Sequence, residues 1–88
     1  MKISVTLGHI MQGDCMADNC AIAVALKEAG FQNPRVGPHI IEADGVKYRT
    51  AENARKFIGD YDRELPVRPF SFELGEPLPD RQENSNST

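Results

Sequence analysis

The stretch DNCAIAVALKEAG, residues 18–30, narrows the choice of fold more than any other part of the chain. Ile22, Leu26 and Ala29 recur at helical spacing, and Ala25 widens the apolar stripe they make. Asp18 or Asn19 can cap the start, because a short side-chain oxygen accepts a bond from the free amides of a first turn. Lys27 suits the negative end of the helix, and Gly30 supplies a left-handed stop. A helix with one apolar stripe needs a surface to lay it on. The two ends of the chain offer that surface. KISVTL (2–7) alternates, with Ile3, Val5 and Leu7 on one side. PFSFEL (69–74) alternates likewise, with Phe70, Phe72 and Leu74 inward.

Between these segments the pattern is equally readable. LGHIMQG adds one short helical turn before Gly13. RVGPHIIEADGVKYRT (35–50) predicts a β-hairpin whose turn is Asp44-Gly45, a pair that accepts the positive φ angles of tight hairpins. Pro38 lacks an amide hydrogen and so marks an edge or a bulge. Thr50 is the expected N-cap of a second helix, AENARKFIGDYD, with Ala51, Ala54, Phe57, Ile58 and Tyr61 as its buried stripe. The order is strand, helix, strand, strand, helix, strand. It predicts an α+β fold: a small two-layer sandwich of ferredoxin-like βαββαβ order, two helices on one face of a four-stranded, mostly antiparallel sheet. The expected core is Ile3, Val5, Leu7, Ile22, Leu26, Phe57, Ile58, Phe70, Phe72 and Leu74. Residues 1–75 form one domain, and residues 76–88, rich in Pro, Asn and Ser, read as a disordered polar tail.

With 88 residues the core is small, so a metal, a disulfide or self-association into a homo-oligomer would add usefully to stability. The net charge of −3 argues against a protein that coats nucleic acid without specificity. The N-terminus does not read as a signal peptide, and CAIAVAL is too short to span a bilayer. The expected location is therefore the cytoplasm, with no membrane partner, and there two cysteines are reduced or metal-bound more often than bridged.

Three groups of residues invite a functional reading. His9, Cys15, Cys20 and His39 carry the thiolate and imidazole groups that zinc takes in a tetrahedron, with Asp14 or Asp18 as substitute ligands. Cys20 also falls in a first helical turn, where amide dipoles favour the thiolate. The bland alternative makes Cys20 a small core residue and leaves the histidines on the surface or in strands. Lys2, Arg35, Lys47 and Arg49 fall on the outer face of the expected sheet and could bind a nucleotide or nucleic acid, although the exposed aromatics of base-stacking sheets are missing. Glu52, Asp60, Asp62 and Glu64 give the second helix an acidic side suited to a basic partner. No phosphate loop, nucleophile elbow or zinc-protease motif is present, and an enzyme is not expected.

ISVTLGHI, CAIAVALKEAG, FIGDYD and VRPFSFEL together resemble small uncharacterised proteins encoded by bacteriophages and prophages, over residues 3–74. The related pattern often carries Cys-x-x-Cys-Pro before the Ala/Leu helix; here the gap is Cys-x4-Cys and Ala21 stands in place of the proline. The resemblance implies an accessory protein of the host cytoplasm that binds and modulates a host protein complex, including an anti-defence role of the anti-CRISPR kind. The residues themselves lead us to expect no resident cofactor, with zinc as the alternative.

Overall fold

The computed structural model describes residues 1–14 and 16–79. Its elements are β1 (Lys2–Val5), α1 (Leu7–Gln12), α2 (Ala21–Glu28), β2 (Arg35–Val36), β3 (Ile40–Ala43), β4 (Val46–Arg49), α3 (Glu52–Asp62) and β5 (Phe70–Glu73). The fold is mixed α+β, with helices packed against two antiparallel sheets, β1–β5 and β2–β3–β4.

The end strands pair as their alternation demands. Ile3 lies opposite Phe72 and Val5 opposite Phe70, so the apolar faces of β1 and β5 coincide. Leu7 does not continue the alternation. Thr6 turns the chain and caps α1, so Leu7 becomes the first helical residue and stands 58% exposed instead of joining the core.

α2 is buried more completely than a single stripe requires. Ala21, Ile22, Ala23, Ala25 and Leu26 are all buried, because small side chains let neighbouring elements approach on several sides. Ala29, expected in the stripe, is exposed; the helix has ended at Glu28. Gly30 has φ +106, its amide bonds Lys27 and the Phe31 amide bonds Leu26, which is the Schellman pattern. Phe31 then packs on the core beside the helix it terminates. The N-cap is Cys20, not Asp18 or Asn19, and it makes no side-chain capping bond.

The hairpin forms at Asp44-Gly45, with φ of 55 and 75. The segment ahead of it is not one arm. Gly37-Pro38-His39 reverses the chain, so β2 folds back on β3 as a third strand. Thr50 is not a cap either. Its hydroxyl donates to the Gly37 carbonyl at 2.8 Å, tying the end of β4 to that reversal, and Ala51 becomes the N-cap of α3. α3 buries Ala54 and Phe57, with Ile58 and Tyr61 partly covered.

The expected single four-stranded sheet would need β1 beside β4. Among the described residues no rung joins them. The outer edge of β4 is occupied instead by the chain after β5: Pro77 bridges Tyr48, and the Leu78 amide bonds the Lys47 carbonyl at 2.7 Å. Residues 77 and 78, which the sequence assigns to a free tail, therefore pair in register with a strand. Residues 80–88 lie outside the described residues. No helix among the described residues is long and apolar enough to cross a membrane.

Candidate functional site

His9 is the most heavily engaged polar side chain of α1. It is 4% exposed and sits at the third helical position. Its Nδ1 accepts from the Thr6 amide at 3.0 Å, while its own amide donates to Thr6 Oγ1 at 3.3 Å. The two residues thus form a capping box, with an imidazole where glutamate or glutamine is usual. Nε2 lies 2.6 Å from Glu28 Oε1, clamping α1 to the end of α2. Because Nδ1 accepts an amide proton, the ring proton of this arrangement is on Nε2 and is donated to the carboxylate. Both ring nitrogens are used, so His9 has no lone pair to give a metal without breaking its cap.

The other zinc candidates are not gathered around it. Cys20 is buried at the start of α2, and His39 is exposed in the reversal between β2 and β3. Cys15 lies outside the described residues. Asp14 is engaged within its own loop. Its carboxylate accepts from the Met16 amide at 2.8 Å and from Asn19 Nδ2 at 3.1 Å, folding the α1–α2 connection on itself. The Met16 amide, with Asn19, holds that carboxyl below the usual aspartate value. Among the described residues no group of three or more His, Cys, Asp or Glu side chains is placed to hold a metal ion.

Position at a helix start predicts an activated thiolate at Cys20. Burial instead pushes its thiol up from the ordinary value; the backbone amides of Ala23 and Ile22 oppose the shift, and the Asp62 carboxylate adds to it. It lines a small cleft of about 130 Å³ whose walls include Ile22, Val36, Phe57 and Tyr61, with Met16 and Asp62 also bordering it. Met16 stands 61% exposed there.

The basic residues do not make one patch. Lys2 belongs to the β1–β5 ribbon, opposite Glu73. Arg35, Lys47 and Arg49 share the outer face of the other sheet, but Glu42 is in register with both Arg35 and Lys47, so that row reads plus, minus, plus. The acidic residues are spread along α3. Glu52 is in its first turn, Asp60 pairs with Lys56 at 3.5 Å, Asp62 reaches the cleft, and Glu64 follows the helix at φ 61.

The alternation of residues 2–7 points Leu7 into the core, and sequence pattern gives Met11 and Met16 no role. Leu7 and Met11 stand one turn apart on α1, and Met11 is 76% exposed. The Thr6–His9 spacing was the available signal, since a capped start at Thr6 puts Leu7 on a helix. A scan against protein-family models finds no match, and searches of curated proteins and of solved structures return no significant similarity.

Proposed function

We propose that the protein acts by binding another protein, as a small phage- or prophage-encoded accessory that modulates a host complex and carries out no reaction of its own. One observation supports a binding role above others: long apolar side chains held in water. Leu7, Met11 and Met16 are all more than half exposed in a chain whose core is small. Thioether side chains adapt to irregular partner surfaces, and exposed apolar groups of this kind are commonly contact residues. The cleft beside Met16 narrows the chemistry of the partner. Its apolar walls suit one aliphatic or aromatic side chain, and Asp62 at its border suits a neighbouring basic one. The partner is therefore a protein segment that presents an apolar residue next to a lysine or arginine. Provenance and the anti-defence role rest on the resemblance over residues 3–74 alone.

The alternating Arg35–Glu42–Lys47 row favours a protein over a nucleic acid, because a phosphate chain laid across it would meet the Glu42 carboxylate. Affinity capture from host lysate followed by mass spectrometry tests the reading, run in parallel with Leu7→Ser/Met11→Ser and with Asp62→Lys. A partner retained by the parent chain and lost by both variants, with unchanged circular dichroism, is the expected result. Capture indifferent to the substitutions would reject it. Salt-dependent RNA or single-stranded DNA binding, abolished by Lys47→Ala/Arg49→Ala, would put the nucleic-acid reading in its place.

A further inference from the structure

We propose that His9 is a proton-operated latch on α1: protonating its ring opens the N-terminal cap of this helix while leaving the ring anchored to α2 through Glu28. The geometry requires opposite things of the two ring nitrogens. Nδ1 holds the Thr6 amide at 3.0 Å only as an acceptor, so it must carry no proton. Nε2 sits 2.6 Å from Glu28 Oε1 and is a donor in both the neutral and the charged ring. Adding a proton therefore places Nδ1–H against the Thr6 N–H, donor to donor, and strengthens the bond on the other side. The ring cannot satisfy both by turning over, because it is 4% exposed and its far nitrogen is held.

The groups that bond the ring come from α2 and from the turn ahead of α1. From α2 it meets Glu28, whose side chain is 73% exposed and reaches the ring from solvent. The adjoining turn contributes the Thr6 amide and hydroxyl, both uncharged. From α3 the titratable group on α1 is the Tyr61 hydroxyl, which donates to the Ile10 carbonyl at 3.1 Å. Protonation thus exchanges a helix cap for a tighter interhelix pair.

The consequence stays local and falls on α1. Six residues are far too few to hold a helix without tertiary support, so a lost cap frays the first turn. That turn begins with Leu7, and its fraying reorients Leu7 and, one turn on, Met11. The inference is independent of the binding role proposed above, and its test uses the free protein.

Amide exchange is measured by NMR on the full chain at a series of pH values, and the His9 ring signal is followed in the same samples to report its charge directly. Each rate is divided by its intrinsic value at that pH. Protection at Thr6, Ile10 and Gly13 is expected to fall about fivefold as the ring charges, the factor that corresponds to a lost cap of ordinary strength. Ile3 and Phe72, paired in the end strands, keep theirs. His9→Gln supplies the control, since a glutamine at this position completes a capping box and does not titrate. Its α1 amides are expected to keep constant protection. A fall of equal size in the parent and in His9→Gln, or no fall in either, overturns the proposal. Should His9→Gln not fold, the parent alone decides. The His9 ring signal and the Thr6 and Ile10 amide signals must titrate together, and ring titration with those amides unmoved overturns the latch.

Discussion

A cysteine at a helix start can be a reactive thiolate or a quiet core residue, and Cys20 shows which force wins. The amides of α2's first turn pull its thiol toward ionisation, but burial dominates and pushes it up. Two outcomes follow. Native Cys20 should be alkylated by iodoacetamide at neutral pH far more slowly than in urea, as read by peptide mass spectrometry; equal rates would mean the thiol is open to solvent. Stability should respond on the alkaline side. A folded-state value above the unfolded one means the native chain binds the proton more tightly, so the contribution is complete below the unfolded value of about 9 and fades as pH rises through the folded one. Urea midpoints measured from pH 7 to about pH 10.5 should therefore fall more in the parent than in Cys20→Ala. Parallel curves would show that ionisation of Cys20 does not matter to the fold. Thr50 makes a similar point about buried polar groups. Its hydroxyl is satisfied by the Gly37 carbonyl, and Thr50→Val leaves that oxygen without its partner, which should cost about 1–3 kcal/mol in a urea titration.

At the scale of elements, the α1–α2 junction is the tightest packing among the glycines. A Cβ built on Gly13 would lie 2.5 Å from the Ala21 nitrogen and 2.7 Å from the Cys20 carbonyl carbon. Both are backbone atoms of the α2 start, so nothing flexible can yield. Gly13→Ala should therefore destabilise by about 1–3 kcal/mol through forced backbone shifts. Gly30→Ala meets no atom within 4 Å, yet its φ of +106 is one that side chains resist, and about 1 kcal/mol is expected there. Urea midpoints should rank Gly13→Ala as the more damaging, and the reverse order would contradict the clash. These elements also show what periodicity can and cannot reveal. The buried stripe of α3, the Asp44-Gly45 hairpin and the alternation of β1 and β5 were legible because each rests on contacts that repeat along a short local pattern. The ends of elements were not. Thr6 and Thr50 are both plausible caps by type, but only Thr6 caps, because the Thr50 hydroxyl is drawn off by a carbonyl 13 residues away. The site suffered in the same way. His9 and Cys20 stood out as residues, but the partner that defines His9 is Glu28, 19 residues on and brought near only by the packing of two helices.

At the scale of the whole molecule, two small sheets present more strand edges than one larger sheet would, and exposed edges template association. The chain covers one of them with its own C-terminal segment. Pro77 bridges Tyr48 and the Leu78 amide reaches the Lys47 carbonyl, so the outer edge of β4 is already bonded. Because Leu78 turns its amide inward, the neighbouring Pro77 faces outward, where its missing amide leaves a further strand nothing to bond. The 44 × 26 × 19 Å molecule thus ends its described course with a strand cover that is itself a poor edge. Comparing a chain ended after Gly75 with one ended after Pro79 isolates this role, since the two differ only in the covering residues. The shorter chain should lose about 1–2 kcal/mol, the net worth of one or two exposed backbone hydrogen bonds. It should also self-associate more strongly, giving a higher average mass in sedimentation at equal concentration, because the bared Lys47 and Arg49 backbone groups can accept a strand from another copy. Charge on those two side chains limits this pairing, so the difference should widen with added salt, which screens their repulsion. Equal masses at every salt concentration would mean that the β4 edge needs no cover.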